Sequence, residues 1–284
     1  MKYFYNKNEP IKNEYIPEGT TQIFFHSKYN YEITELPNTV TKIVFGRYFN
    51  HKIRNISDNL KEIYFGHSFN QPILELPENL EKITFGNNFN NIFNLPKTLK
   101  VLIFSGTFNK KLNNLPKNLT HLTLSNAFNQ PLDNLPENLT HLTIGNSFNH
   151  KLNNLPKNLI QLIIGNSFNQ TVDNLPLTIT HLLIGNSFNQ TLDILPENMT
   201  HLSIGNIFNE TLDYMPDNII NLSLGNSFNQ TLNNLPRGLE YLELGSNYTN
   251  DLDNLPSTLK TLKIYKHQEK IIKKIPFDLK IHLI

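Results

Sequence analysis

Residues 135–154 read LPENLTHLTIGNSFNHKLNN, from Leu135 to Asn154. The apolar positions are Leu135, Leu139, Leu142, Ile144, Phe148 and Leu152. The step Leu142-Thr143-Ile144 has a period of two, as a half-buried strand requires, and the wider gaps on either side fit bends rather than helix. Pro136 lacks the N–H that a central ladder needs, which places it on the outer arc of the unit. Gly145 and Asn146, just past the strand, suit a turn. The unit is therefore one strand plus one tight irregular return.

Outward from this stretch the same unit recurs in both directions. Thirteen of the 16 prolines fall at positions 17, 37, 77, 96, 116, 136, 156, 176, 196, 216, 236, 256 and 276, with Ser57 in the gap. An aromatic row runs in phase: Tyr29, Phe49, Phe69, Phe89, Phe108, Phe128, Phe148, Phe168, Phe188, Phe208, Phe228 and Tyr248. One 19-residue unit, between Phe89 and Phe108, interrupts the 20-residue spacing of that row. Self-similarity at such a period marks a solenoid, and Leu139-x-x-Leu142-x-Ile144 fits the L-x-x-L-x-L template of leucine-rich repeats. The expected fold is a leucine-rich-repeat-like β-solenoid of about 14 coils, with a parallel β-sheet on its concave face. The convex side should be extended or 3-10 segments, with few or no α-helices, because 20 residues leave no room for a helix and two turns. The boundaries read as an N-terminal cap segment over 1–16, the solenoid over 17–264, and a degenerate C-terminal repeat over 265–284.

Rows of like residues in successive coils predict the core. The phenylalanines, Phe128, Phe148 and Phe168 among them, should stack as a spine. Toward the N-terminus the strand's second inward residue is also aromatic (Phe25, Phe45, Phe65, Phe85, Phe104), and from Leu124 onward it is Leu or Ile. A double aromatic row should give way to a single one. Asparagine follows nearly every ring, as at Asn129, Asn149 and Asn169, and its amide can bond backbone groups of its own and the next coil in a buried ladder.

Composition excludes several functions. Lys plus Arg is 25 against 24 for Asp plus Glu, and no basic stripe calls for nucleic acid. With no cysteine there is neither a thiolate metal site nor a cysteine nucleophile. No apolar stretch approaches a membrane span and Met1–Pro10 lacks the apolar core of a signal peptide, so a cytoplasmic protein is expected. Catalytic signatures such as G-x-S-x-G, a Walker loop or H-E-x-x-H are missing, so no catalytic, cofactor or metal residues are assigned.

The strings Phe45-Gly46-Arg47-Tyr48-Phe49-Asn50 and Phe65-Gly66-His67-Ser68-Phe69-Asn70 resemble the FNIP, or FGxxFN, class of leucine-rich repeats found in large DNA viruses of protists and in social amoebae. The resemblance covers about residues 17–264. It implies a binding scaffold and names no partner. Some members of the class carry an F-box ahead of the repeats, and this chain is expected to be without one.

If Leu142 and Ile144 point inward, the residues between and before them form the concave face. The face then contains Tyr64, His121, His141, Ile163, His181, Leu183, His201 and Tyr241, which are the candidate partner-binding residues. His121 should lie beside His141, and His181 beside His201, about one strand spacing apart. The row supplies two imidazoles at a time, which suits a ladder or a partner contact better than the three or four ligands of zinc. A second row, Asp133, Asp173, Asp193, Asp213 and Asp253, reads as turn capping. Tyr3, Phe4, Tyr5, Ile11 and Tyr15 should cover the first coil. At the other end Leu279 to Ile284 reads as a final strand, whose Leu279, Ile281 and Leu283 offer an edge for a homodimer. The leading expectation is a non-enzymatic scaffold for a protein partner. The alternative is a structural protein that self-associates through its last coil.

Overall fold

The computed structural model describes residues 1–33, 35–54 and 56–284. The chain is a parallel β-solenoid, and among the described residues it has no α-helix. It divides into two compact units, residues 1–130 with 134–139 and residues 131–133 with 140–284.

The first unit contains β1 (Lys2–Tyr5), β2 (Gln22–Phe25), β3 (Lys42–Val44), β4 (Glu62–Tyr64), β5 (Lys82–Phe85), β6 (Val101–Phe104) and β7 (His121–Thr123). Each pairs in parallel with the next, in the register of the repeat: Ile43 lies opposite Ile63, and Phe85 opposite Phe104. The N-terminal aromatic segment does more than cover a coil. Its β1 adds a strand to the sheet, with Tyr5 opposite Phe25 and fully buried, and a 3-10 turn at Asn13–Tyr15 leads into the next coil.

The second unit contains β8 (His141–Ile144), β9 (Gln161–Ile164), β10 (His181–Ile184), β11 (His201–Ile204), β12 (Asn221–Leu224), β13 (Tyr241–Leu244), β14 (Thr261–Ile264) and β15 (Lys280–Leu283), again all parallel. In β8 to β14 inward residues are buried and the residues between them half-buried. That alternation is what a sheet with one packed face produces.

The coil of residues 155–174 shows how sequence becomes shape. Leu159 N–H donates to the Pro156 carbonyl at 3.1 Å, closing a tight turn just before β9. The proline thus lies off the sheet, as its missing N–H requires. Contrary to a place on the outer arc, its ring is buried, and the exposed surface of the bend is Lys157-Asn158. Gly165 follows the strand for a reason other than turn geometry. A Cβ there would stand 2.5 Å from the Gly145 carbonyl carbon of the preceding coil, so only glycine permits the approach. The return is extended and turn-like, and among the described residues 3-10 helix occurs only at Asn13–Tyr15 and Lys266–Ile271.

Phenylalanine fills the coil and asparagine links it onward. In the second unit the rings of Phe148, Phe168, Phe188, Phe208, Phe228 and Tyr248 are fully buried, nearly parallel, with consecutive centroids 6.0–6.2 Å apart. In the first unit a second row, Phe25 to Phe104, packs beside the spine, with cross-row centroids of 4.4 Å from Phe25 to Tyr29 and 3.9 Å in the coils that follow, as from Phe45 to Phe49. It stops where Leu124 replaces phenylalanine. Spacing within this inner row is 5.1–5.6 Å, against 5.9–6.3 Å in the outer row. Coils therefore splay away from the strands, and within that unit the sheet lies on the inside of the curve. The shortened unit ending at Phe108 is filled by Phe93, whose ring touches those of Phe85, Phe89, Phe104 and Phe108.

Each ladder asparagine accepts, through Oδ1, the backbone N–H of the asparagine one coil on: Asn129 to Asn109 at 2.9 Å, Asn169 to Asn149 at 2.9 Å, Asn229 to Asn209 at 2.8 Å. The residues named are exposed, not buried as expected, because the amide caps the coil's outer corner. A second ladder runs through Asn146, Asn166, Asn186, Asn206 and Asn226 at 3.3–3.4 Å. A third uses the residue two after proline, such as Asn218 Nδ2 to the Glu197 carbonyl at 2.8 Å. The aspartate row at 133, 173, 193, 213 and 253 is exposed on the return.

The last coil departs from the comb. β15 pairs Leu262 with Ile281 and Ile264 with Leu283, a 19-residue offset although Pro256 and Pro276 are 20 apart. Asp278 takes up the slip in a left-handed conformation, φ 63°. A one-residue shift exchanges the faces of a strand. Without it His282 and Ile284 would face inward in place of Ile281 and Leu283.

Candidate interaction face

The repeated side chains are consumed by packing and ladders, so chemistry left for other molecules lies on the outward residues of the strands. In the first unit Glu62 is the centre of a charged group. Lys42 Nζ lies 2.8 Å from its Oε2 and the Tyr64 hydroxyl donates to the same oxygen at 2.9 Å. The ammonium groups of Lys42 and Lys82 lie 4.6 and 5.3 Å from the centre of the Tyr64 ring, within cation–π range. The Lys42 bond, with that of Tyr64, holds the Glu62 carboxyl below its ordinary range against the opposing effect of burial. Sequence reading singled out Tyr64 but missed its partners. Lys42, Glu62 and Lys82 alternate in sign at 20-residue spacing, and that alternation was the available signal.

In the second unit the outer face has a shallow depression of about 400 Å³, lined by residues that include Gln161, His181, Leu183, His201, Ser203 and Tyr241. Four of the expected contact residues, His181, Leu183, His201 and Tyr241, thus meet at one place. Ile163 lies beside Leu183 in register. The His181 and His201 rings stack with centroids 4.1 Å apart and planes 11° from parallel. Each ring is anchored by the residue before it: Thr180 Oγ1 to His181 Nδ1 and Thr200 Oγ1 to His201 Nδ1, both at 2.8 Å. Burial, then the neighbouring imidazole, pushes the His201 pKa below the ordinary histidine value. His121 belongs to the first unit and His141 to the second, and each bonds its own preceding threonine, Thr120 or Thr140, through Nδ1 at 2.9 Å.

Beside the depression Glu243 accepts from the Tyr241 hydroxyl at 2.9 Å and pairs with Lys263 at 2.6 Å. Burial would raise its pKa, yet the bonds from Lys263 and Tyr241 bring it below the ordinary range. Sequence reading singled out Tyr241 but not its partner Glu243, nor the pairing of Glu243 with Lys263.

At the last coil Leu279 and Ile281 are half-buried, while Leu283 is 45% and Phe277 91% exposed. Among the described residues no three histidine, aspartate or glutamate side chains are placed to hold a metal ion. Among those same residues no helix is long and apolar enough to cross a membrane.

Parallel coils of a strand and a short return, with leucine at L-x-x-L-x-L spacing, define a leucine-rich-repeat-like solenoid. The FNIP Repeat family model matches residues 49–75, 69–107, 108–147, 128–167, 208–246 and 228–267, together more than half of the chain, which therefore belongs to the FNIP-repeat family. No curated protein matches the sequence. Among solved structures the chain is similar to the leucine-rich-repeat protein LIC12759 of Leptospira interrogans, at 16% identity and TM-score 0.51, covering 94% of this chain and 92% of that one. It is also similar to YopM of Yersinia enterocolitica, at 18% identity and TM-score 0.49, covering 93% and 77%. A third is CroV588, described as a circular leucine-rich-repeat protein, at 27% identity and TM-score 0.42 over 98% of this chain. The chain spans 65% of the length of CroV588.

Proposed function

We propose that the protein is a non-catalytic scaffold that binds a protein partner on the outward face of its sheet, centred in the second unit on His181, Leu183, His201 and Tyr241. The observation that carries this reading is the convergence of those four residues, with Ser203, around one depression in a chain whose other repeated positions are occupied by packing and ladders. Leucine-rich-repeat folds commonly serve as protein-binding scaffolds, and a face that varies from histidine to leucine to tyrosine supplies a specific surface where a purely structural stack needs none. The test is affinity capture from the native cell followed by reconstitution with the purified partner. Leu183→Glu with Tyr241→Ala should abolish binding, and Asp173→Lys on the return should leave it intact. Binding that survives the first variant and fails in the second would place the interface elsewhere.

A second reading, self-association through the last coil, is favoured by the exposed apolar group there: Ile275 at 61%, Phe277 at 91% and Leu283 at 45%. Sedimentation at tens of micromolar checks it. A dimer that Phe277→Ser dissociates supports this reading, and a monomer at all concentrations removes it.

A further inference from the structure

The hydrogen bonds beneath the histidine stack fix its chemistry. A threonine hydroxyl has one proton to give. Thr200 Oγ1 donates to the Thr180 carbonyl at 3.1 Å, and Thr180 Oγ1 to the Ile160 carbonyl at 3.4 Å. With that proton given to the preceding coil, the 2.8 Å contact between each threonine and its histidine runs from Nδ1–H to Oγ1, one of the two tautomers that the distance permits. In that tautomer Nδ1 holds the ring proton and Nε2, on the far side of the ring, presents its lone pair. Because the rings are stacked and nearly parallel, the two Nε2 acceptors stand side by side at roughly the 4.1 Å of the centroids.

We propose that His181 and His201 form a receptor for a primary ammonium group, the lysine head of the docking partner, with its stem laid on Leu183 and Ile163. The proposal rests on the outward face being the binding face. A tetrahedral ammonium placed about 2.9 Å from each acceptor bridges such a pair with two of its N–H bonds about 90° apart. Other ligands fit less well. An anion would meet two lone pairs, and a zinc-like metal ion wants three or four ligands where the stack supplies two. The fixed planar fork of a guanidinium matches a carboxylate's two oxygens better than acceptors this far apart. Strands β9 to β12 read QLII, HLLI, HLSI and NLSL, with no charged residue to compete for the cation. The nearest ionisable groups in the next strand are Tyr241 and Glu243, bonded to each other, with Glu243 also paired to Lys263. Burial, then the neighbouring imidazole, lowers the His201 pKa and so favours its neutral form.

Two measurements on the purified protein test this. Long-range proton–nitrogen NMR of 15N-histidine-labelled protein at pH 7.5 should show both rings with hydrogen on Nδ1, and hydrogen on Nε2 of either ring overturns the proposal. Titration with Nα-acetyl-lysine amide should then shift the His181 and His201 ring signals saturably. The shift should weaken at least tenfold in acid, once protonation has removed the Nε2 acceptors, and several-fold in Thr200→Val, which removes the hydroxyl that holds the His201 ring. Equal shifts from Nα-acetyl-norleucine amide, or shifts from acetate instead, also overturn it. Neither measurement uses the native partner. Failure here with face-dependent capture intact would leave the scaffold reading standing, and the reverse outcome would remove that reading alone.

Discussion

The side-chain amide of Gln268 donates to the backbone carbonyl of Tyr248 at 2.9 Å, from a buried position twenty residues past the last ring of the spine. The same nitrogen reaches the Gly245 carbonyl at 2.8 Å, and Gln268 Oε1 accepts the Tyr265 N–H at 2.8 Å. A polar side chain thus closes the aromatic row and satisfies backbone groups that a further ring would leave unpaired. Gln268→Leu should destabilise the second unit by about 1–3 kcal/mol although it adds apolar surface, because those groups stay buried without partners. Urea unfolding measures it, and a variant as stable as the parent would refute the capping role.

The glycines that follow the strands and the one in the turn before β13 meet different surroundings. A Cβ on Gly185 would lie 2.6 Å from the Gly165 carbonyl carbon and 2.7 Å from Asn166 Cα, both backbone atoms. On Gly238 it would meet only the Asp217 carbonyl oxygen at 3.1 Å. Gly185→Ala should cost about 3 kcal/mol or more, since neither coil can yield without shifting its ladders, and Gly238→Ala less than about 1 kcal/mol. Comparing the two thermal midpoints is the check.

The asparagine ladder uses the oxygen of each amide. Asn209→Asp keeps an acceptor for the Asn229 N–H, and Asn209→Leu removes it. The leucine variant should lose about 1 kcal/mol and the aspartate variant less than half of that at neutral pH. Equal losses would mean that the amide nitrogen matters as much as the oxygen.

Acid should weaken both units through Glu62 and Glu243, whose folded pKa values are held below the ordinary 4.5. A depressed carboxyl stabilises the fold above its unfolded pKa, and that contribution is lost as pH falls through the folded value. The loss should therefore begin below about pH 4.5. Glu62→Gln with Glu243→Gln should lower the midpoint at pH 7 and flatten its fall between pH 5 and pH 3. A double variant with the parent's acid slope would assign that slope to other carboxylates.

Features that repeat were legible in the sequence, and features that occur once were not. The Phe148-type spine and the Asn149-type ladder announce themselves because a dozen copies share one phase. Gln268 is a single residue in a stretch that no longer scans, and its role depends on which carbonyls the 3-10 turn brings near. The slip at Asp278 is hidden because Pro276 sits on the comb; the register that sets Ile281 opposite Leu262 and Leu283 opposite Ile264 cannot be counted from the proline. His121, His141, His181 and His201 each follow a threonine, so the Thr-His pairs were visible in the sequence. The bonds from Thr180 and Thr200 to a carbonyl one coil away, which bear on the tautomer, were not. The buried proline rings show the limit of arguing from a missing N–H: it says where the backbone cannot pair and nothing of where the ring packs.

The uniform ladders of the second unit have a consequence for how such a chain can change its length. Asn166, Asn186 and Asn206 each present to the following coil the group that the preceding coil presents to them, and Gly165, Gly185 and Gly205 meet their neighbours at nearly identical distances. Removing one whole period between two of these positions would bring together surfaces already matched to each other, whereas removing a few residues would break every ladder at once. Length in this molecule is quantised. A genome can lengthen or shorten it by copying or dropping twenty codons, and each such step moves the outward-facing residues relative to one another without disturbing what lies beneath them.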